Sequence, residues 1–250
     1  MFKCLALVAS LLLQLAFASV CTGTMQTCNA LYETGEYAGA AACALVLAEE
    51  GDAAAQYMLG RLYKLSQGVP RNLAEYERWI RKAARQGHSR AQRELGLMYS
   101  VGLAVQKDNA QAAKWYRKAA EQGERDSQYL LGTLLMGGVD IPMDAKEALM
   151  WFRKAAMQEQ SDAQFELGEA YLHGVVVQKD IVMAYVWYSF AASDYYNRSH
   201  DDDRDALAAT MTPEQLAQAE KIQHELWLEY YAPALFNSAE YEGDLEKVEK

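Results

Sequence analysis

Tryptophan recurs at a fixed interval of 36 residues along the chain, at Trp79, Trp115, Trp151 and Trp187. A Gln-x-x-Leu-Gly segment keeps the same interval and begins at Gln56, Gln92, Gln128 and Gln164. A fixed period of this length indicates a stack of similar supersecondary units, each burying its apolar face against its neighbours. Stacked units present extended surfaces, so the period favours a binding surface over an enclosed catalytic pocket.

The sequence of each unit predicts two helices. In the first helix, Leu59, Leu62 and Tyr63 are spaced i, i+3 and i+4, which places them on one helical face. A glycine follows the repeated leucine, although glycine inside a helix costs about 1 kcal/mol relative to alanine. We therefore expect a neighbouring helix to approach too closely for a side chain at these glycines, which are Gly60, Gly96, Gly132 and Gly168.

The second helix begins at a capping residue and carries the tryptophan. We predict that four polar residues in one column, Asn72, Asp108, Asp144 and Asp180, cap this helix rather than bind a metal or ligand. Alanine pairs follow each tryptophan, and small residues allow helices to pack closely. We therefore predict that the indoles fill the wedge between helices and form a repeat core, together with the four glycines.

The turns that lead to the next unit contain glycine at Gly51, Gly87 and Gly123, which suits a left-handed helix C-cap. The last turn has Glu159-Gln160 instead. We expect this turn to be slightly strained or differently shaped.

The two ends of the sequence differ from the middle. Residues 1–18 predict a signal peptide, with Lys3, an apolar run and Ala16-Phe17-Ala18 before a mature start at Ser19. An uncleaved membrane anchor and lipid attachment at Cys21 are the alternatives. Residues 236–250 are acidic and lack a helical apolar pattern, which predicts a disordered tail.

The net charge of −10 argues against a nucleic-acid partner and against electrostatic attachment to an anionic membrane. We expect no stable membrane insertion once the signal is cleaved. No His/Cys cluster has zinc spacing, and the acidic run at residues 200–205 lacks the spacing of a calcium loop. We expect no metal, no cofactor and no catalytic residue, and the chain contains no Ser-x-x-Lys signature.

The repeated segments resemble Sel1-like repeats, which are relatives of the tetratricopeptide repeat. Residues 55–63 with 83–87, and residues 115–123, carry the resemblance, and residues 211–215 resemble the closing helix of bacterial Sel1-repeat proteins. The resemblance implies an all-α fold, a right-handed α-solenoid of antiparallel helix pairs. It predicts four full repeats near 53–88, 89–124, 125–160 and 161–195, a partial N-terminal unit and a capping helix over 212–231, with the solenoid spanning 19–235.

The first unit departs from this pattern, because its loop is short and Cys43 replaces the tryptophan. Alignment of Tyr32 with Tyr63 places Cys28 at the inward Leu59 position. We therefore predict a Cys28–Cys43 disulfide, with Cys21–Cys28 as the alternative.

In tetratricopeptide-like stacks the first helices line the concave side. The resemblance therefore implies a partner-binding groove, with ordinary packing between repeats as the alternative role for its aromatic residues. The basic corner of Arg61, Lys64 and Arg93 could hold an acidic peptide segment or a C-terminal carboxylate. The predicted groove residues are Tyr57, Arg61, Lys64, Arg93, Leu97, Tyr129, Thr133, Phe165 and Glu169.

By resemblance, we expect a non-enzymatic protein–protein interaction scaffold that is exported to the bacterial periplasm or secreted, and that binds a protein or peptide partner. The alternatives are a β-lactam-binding or β-lactam-hydrolysing enzyme of the cysteine-rich Sel1-repeat type, and a purely structural spacer.

Overall fold

The structure, a computed structural model, describes residues 24–192 and 199–231. The expected signal peptide and the expected acidic tail therefore lie outside the described residues. The described residues form twelve α-helices and one π-helical turn, with no strand among them. The helices are α1 (Met25–Glu33), α2 (Tyr37–Glu50), α3 (Ala53–Leu65), α4 (Leu73–Arg85), α5 (Ser89–Val101), α6 (Asn109–Glu121), α7 (Arg125–Gly137), α8 (Ala145–Ala156), α9 (Ser161–His173), α10 (Ile181–Ala191), α11 (Ser199–Ala208) and α12 (Pro213–Leu226), and the π-helical turn is Trp227–Tyr231.

The chain divides into two compact units, Met1–Glu124 and Arg125–Lys250. In the first unit each helix packs against the next, from α1 to α6. In the second unit α7 pairs with α8, α8 packs on α9, α9 pairs with α10, and α10 also packs against α11 and α12. This arrangement confirms the all-α class and the succession of helix pairs that the sequence predicts.

The four predicted helix caps are all present. Each side-chain oxygen accepts a hydrogen bond from a free backbone N–H in the first turn of the following helix, which contributes about 1 kcal/mol. The pairs are Asn72 with Ala74 and Glu75, Asp108 with Gln111, Asp144 with Glu147, and Asp180 with Val182 and Met183.

The glycine column marks a close approach between helices, as the sequence predicts. A Cβ atom at Gly60 would lie 3.0 Å from Ile80, and one at Gly96 would lie 2.6 Å from the ring of Tyr116. The second unit repeats this arrangement at Gly132 with Phe152 and at Gly168 with Tyr188. The side chain that leaves no room for a Cβ at each glycine is therefore that of the residue directly after each tryptophan. The sequence pattern alone assigned no role to this column.

Three of the four repeated indoles are buried, at 1% exposure for Trp79, 5% for Trp151 and 3% for Trp187. Trp115 differs from the expectation because it is partly exposed. In the first three repeats, the lysine three residues after the tryptophan places its ammonium group over the indole ring, which is a favourable cation–π geometry. The lysine-to-ring distances are 4.3 Å for Lys82 on Trp79, 4.7 Å for Lys118 on Trp115 and 4.3 Å for Lys154 on Trp151.

Buried glutamines tie successive helix pairs together. The Gln56 amide donates to the carbonyl of Ala48 at 3.0 Å, and its oxygen accepts from Gln86 at 2.8 Å. Gln92 repeats the arrangement with Ala84 and Gln122. A buried amide that is satisfied on both sides fixes the register of neighbouring helices. This explains why the repeated motif begins with glutamine.

The N-terminal unit contains a disulfide in place of a tryptophan. Cys28 and Cys43 are bonded with their Cα atoms 5.5 Å apart, and both are buried, which agrees with the predicted pairing. Cys21 lies outside the described residues. The connection from α1 to α2 is short, and the loop at residues 66–71 packs against it. Gly68 lies against the backbone of Tyr37, and the Tyr32 hydroxyl donates to Gln67 at 3.4 Å.

The C-terminal part contains a helix, α11, that the repeat pattern does not predict. The acidic run at residues 200–205 lies within α11 rather than in a loop. The closing helix α12 begins with the predicted capping box, in which Thr212 and Gln215 each accept from the other's backbone N–H. It packs against α10, as expected of a helix that covers the last repeat.

Glu159 adopts the backbone conformation that glycine adopts in the earlier turns. Its φ is +60°, whereas the equivalent Gly87 and Gly123 have φ of +91° and +87°. The left-handed region costs a non-glycine residue about 1–2 kcal/mol, partly offset by the greater freedom of glycine in the unfolded chain. We expect Glu159→Gly to raise the free energy of unfolding by about 0.5–1 kcal/mol in urea denaturation. Gly123→Ala, the matched control, should lower it, and a destabilised Glu159→Gly variant would contradict this account.

Candidate functional site

A cavity of about 350 Å³ opens at the N-terminal end of the first unit. We call it the tyrosine pocket, and its walls come from α1, α3 and the start of α5. Its lining residues are Met25, Asn29, Tyr32, Ala54, Tyr57, Met58, Arg61, His88, Ser89 and Arg90. Tyr57 and Arg61 are two of the predicted groove residues, so part of this site was predictable from the sequence.

A stacked pair of aromatic rings lines the tyrosine pocket. The rings of Tyr57 and His88 stack with centroids 4.7 Å apart and an interplanar angle of 26°. The Arg61 guanidinium lies 5.9 Å from the centre of the Tyr57 ring. Because α3 and the capped start of α5 hold these groups, they offer a preorganised aromatic and cationic surface.

His88 lines the pocket and also caps helix α5. Its Nδ1 accepts a hydrogen bond from the Ala91 N–H at 3.2 Å, so the imidazole serves as the N-cap of α5. This bond requires a neutral ring with its proton on Nε2. Burial lowers the pKa of His88, the positive charge of Arg90 lowers it further, and Asp52 opposes both effects.

The lowered pKa of His88 makes stability depend on pH. Below the ordinary histidine pKa of about 6.5 the unfolded state binds more protons than the folded state, so stability falls as the pH falls. Between pH 7.5 and 5.5 we expect the wild type to lose more free energy of unfolding than His88→Gln does, as measured by urea denaturation. Glutamine is a matched replacement because Gln160 caps α9 in the same way. An equal loss in both proteins would show that His88 does not titrate in this way.

The lining of the tyrosine pocket is cationic although the protein is acidic. Arg61 and Arg90 contribute two guanidinium groups, and none of the described lining residues is Asp or Glu. Arginine and tyrosine are, with tryptophan, the residues enriched at the energetic centres of protein interfaces. The pocket is therefore suited to a partner segment that carries negative charge beside an apolar or aromatic side chain.

The predicted basic corner is divided between two environments. Arg61 lines the pocket, whereas Lys64 forms a 2.9 Å ion pair with Glu94, and Arg93 forms a 3.1 Å ion pair with Glu124. These carboxylates neutralise two of the three cations, so the corner does not act as one anion-binding cluster. The sequence could not predict this, because the pairing depends on how neighbouring helices align.

Glu94 also accounts for Tyr76, whose repeat position is occupied by alanine in the later repeats, at Ala112, Ala148 and Ala184. The hydroxyl of Tyr76 donates to Glu94, which Lys64 also contacts. Burial alone would raise the pKa of Glu94, but the hydrogen bonds from Tyr76 and Lys64 bring it below its ordinary value. Burial and the bond to Glu94 raise the pKa of Tyr76, so the phenol keeps its proton. This network holds α3, α4 and α5 together.

Three predicted groove residues of the second unit, Tyr129, Phe165 and Glu169, contact other side chains of that unit, whereas Thr133 is exposed. Phe165 lies between the rings of Tyr188 and His200, at centroid distances of 5.1 and 4.5 Å. Glu169 accepts a hydrogen bond from the Tyr188 hydroxyl, and Tyr129 contacts the Phe152 ring at 5.9 Å. Thr133 donates to the Tyr129 carbonyl, and Leu97 of the first unit is partly buried.

Helix α9 differs from α3 in charge. Burial raises the pKa of Glu166, and the neighbouring carboxylates of Glu169 and Asp162 raise it further. Whereas α3 contributes the Arg61 guanidinium to the tyrosine pocket, α9 carries an acidic surface. In the parts of the chain that the structure describes, no group of three or more His, Cys, Asp or Glu side chains is arranged to hold a metal ion.

His88, Arg90 and the contributions of α1 were missed by the sequence analysis. The period offered a signal for His88, since its column otherwise contains Asp52, Glu124 and Gln160. Nothing in the sequence placed Asn29 or Met25 beside α3, because this contact depends on the packing of the irregular first unit.

Comparison with known proteins is consistent with the geometry. The Sel1 repeat matches residues 53–88, 89–124, 125–159 and 161–195. The crystal structure of a Sel1 repeat protein from Oxalobacter formigenes is 35% identical over 68% of this chain and 70% of that one, with a TM-score of 0.64. A protective antigen of uropathogenic Escherichia coli, c5321, is 26% identical over 85% of this chain and 62% of that one, with a TM-score of 0.40. A search of curated proteins finds no match.

The four matched repeats and the packed helix pairs define a helical-repeat protein. The chain belongs to the Sel1 repeat family. Sel1 repeats generally mediate protein–protein interaction. Over residues 24–192 and 199–231, no helix is both long enough and apolar enough to cross a membrane.

Proposed function

We propose that this protein is a non-enzymatic, exported scaffold that binds a peptide or protein partner in the tyrosine pocket. The observation that carries the proposal is the joint presence of stacked Tyr57 and His88 rings with Arg61 and Arg90 in one cavity. The Sel1 repeat family supports the interaction role in general, and the chemistry of this cavity supports our choice of the first unit as its location.

The chemistry of the cavity indicates what part of a partner it would hold. Stacked aromatic rings bury apolar area at little cost in side-chain entropy, and arginine can form bidentate hydrogen bonds with a carboxylate. A partner segment with a large apolar or aromatic side chain next to an Asp or Glu would satisfy both features. Binding should therefore weaken as the salt concentration rises.

Export is proposed on separate grounds. The Cys28–Cys43 disulfide is buried and forms most readily in an oxidising compartment such as the periplasm or the extracellular space. The predicted signal peptide supports the same location. Mass spectrometry of the purified mature protein should then find an N-terminus at Ser19.

Affinity capture with matched variants tests the proposed binding site. Tyr57→Ala/Arg61→Ala should lose the specific partners of the wild type in extract of the native cell envelope. Tyr129→Ala/Thr133→Ala changes the equivalent repeat positions of the second unit and should retain them. Arg61→Glu alone should also lose them, which excludes loss of the Tyr57 packing as the cause.

Two results would contradict the proposal. Retention of all partners by both pocket variants would place binding elsewhere on the molecule. Turnover of a nitrocefin-type substrate by the pure protein would instead favour the β-lactam enzyme.

A further inference from the structure

A second cavity, of about 630 Å³, lies in the second unit between α8, α9 and α10. We call it the methionine pocket. A cavity of this size falls within the range of about 300–1,000 Å³ that is usual for small-ligand sites. Its apolar lining consists of Leu149, Met150, Met157, Leu167, Val177 and Trp187.

The first unit shows how the equivalent groove is occupied by polar contacts. Two repeats earlier in the chain, Arg81 forms an ion pair with Glu77, and its guanidinium donates to the Tyr99 hydroxyl at 3.2 Å. A cavity of about 530 Å³ at this place has a mainly polar lining that includes Arg81 and Tyr99. The charge of this arginine is therefore neutralised within the protein.

The methionine pocket has the same arginine and tyrosine without these partners. Arg153 and Tyr171 occupy the repeat positions of Arg81 and Tyr99, whereas Leu149 replaces the glutamate. The side chains of Arg153 and Tyr171 make no hydrogen bond or ion pair with the residues that the structure describes. Arg153 is exposed, whereas Arg81 is half-buried. The guanidinium and the phenol of the pocket are therefore both available to a ligand.

The other charged groups of the methionine pocket leave its rim positive. Lys146 and Lys154 bring the number of cations to three, against two carboxylates. Both carboxylates already have contacts, because Asp144 caps α8 and Glu147 accepts a hydrogen bond from the indole N–H of Trp151 at 3.0 Å. The pocket thus combines an apolar lining with a rim that favours an anionic group.

We infer that the methionine pocket binds a free fatty acid, with its carboxylate at Arg153 and Tyr171 and its alkyl chain on the apolar lining. A guanidinium binds a carboxylate through two parallel hydrogen bonds, and a tyrosine hydroxyl donates one more. Methionine side chains adapt their shape to a flexible chain. A peptide fits less well, because its backbone N–H groups need acceptors and the two carboxylates of the lining are already engaged.

Methionine-methyl NMR of the purified chain, with decanoate as the probe, tests this inference. The signals of Met150 and Met157 should shift saturably, with a Kd below about 1 mM. Binding should tighten roughly threefold for each CH₂ added between octanoate and decanoate, since a longer chain buries more apolar area. Met98 is buried in the first unit, and its unchanged signal reports that the fold is intact.

Three variants and a second probe locate the carboxylate. Arg153→Gln should weaken decanoate binding about tenfold, because the charged hydrogen bonds are lost. Arg81→Gln, the matched control at the equivalent position of the first unit, should leave binding unchanged. Leu149→Glu restores the glutamate of the first unit and should weaken binding about tenfold while Arg153 is kept. Decyltrimethylammonium has the same alkyl chain with the opposite charge and should bind about tenfold more weakly than decanoate.

Three outcomes would overturn the inference. The first is the absence of saturable shifts of Met150 and Met157 up to about 1 mM decanoate. The second is equal affinity for decanoate and decyltrimethylammonium, and the third is unchanged binding by Arg153→Gln.

The inference is independent of the role proposed for the tyrosine pocket. Tyr57→Ala/Arg61→Ala, which should lose the protein partner, should bind decanoate as the wild type does. Loss of decanoate binding in this variant would place the fatty acid in the tyrosine pocket and would contradict the inference.

Discussion

Trp79→Ala should lower the free energy of unfolding by about 3–5 kcal/mol, the range for truncating a fully buried aromatic residue. Trp79 is 1% exposed and packs against Ala44, Ala48 and Leu59, so it joins α2, α3 and α4. Its removal would leave a cavity between rigid helices that cannot close on it. Urea denaturation followed by circular dichroism measures the loss.

Trp227→Ala is the matched control, since Trp227 is 39% exposed in the π-helical turn. Its replacement should cost less than about 1 kcal/mol, as is usual for an exposed position. Equal losses in the two variants would contradict the view that the repeated indoles hold successive helix pairs together.

Gly68→Ala should be the second strongly destabilising change, with an expected loss of about 2–4 kcal/mol from overpacking and backbone strain. Gly68 has a φ of +71°, and a Cβ there would overlap the carbonyl group of Tyr37. A backbone carbonyl cannot adopt another rotamer as a side chain can. The loop at residues 66–71 would therefore have to move away from α2.

Gly87→Ala separates the two causes of this loss. Gly87 has a φ of +91° but nothing within 4 Å of an added Cβ, so its replacement reports the backbone strain alone. We expect a loss of about 1 kcal/mol for Gly87→Ala. If Gly68→Ala were no worse than this control in urea denaturation, the contact between the loop and Tyr37 would not stabilise the protein.

Much of the fold followed from the period of the sequence. The cap column of Asn72 and its equivalents was predictable because capping depends on neighbours within one turn of the chain. The close approach at Gly96 was also predictable, since its recurrence required a packing cause. The identity of the approaching group, Tyr116, depends on how two helices face each other, which the sequence pattern does not specify.

The candidate site was less predictable than the fold. Tyr57 and Arg61 were found because they occupy fixed positions in the repeat. Lys64 was assigned to the same surface, yet it pairs with Glu94, a contact set by the offset between neighbouring helices. Phe165 has the same repeat position as Tyr57, but the rings of Tyr188 and His200 enclose it. The position of a residue in the repeat therefore predicts where its side chain points better than it predicts which residues surround that side chain.

The central claim is that the tyrosine pocket binds a partner protein. Photo-crosslinking in cells that naturally produce the protein tests it most directly, with benzoylphenylalanine placed at Ser89, which lines the pocket, or at Arg125, the equivalent repeat position in the second unit. We predict a discrete crosslinked protein from position 89 that disappears with Tyr57→Ala/Arg61→Ala, and none from position 125. Crosslinks from position 125 alone, none from either position, or a position 89 product that survives the double substitution would contradict the claim.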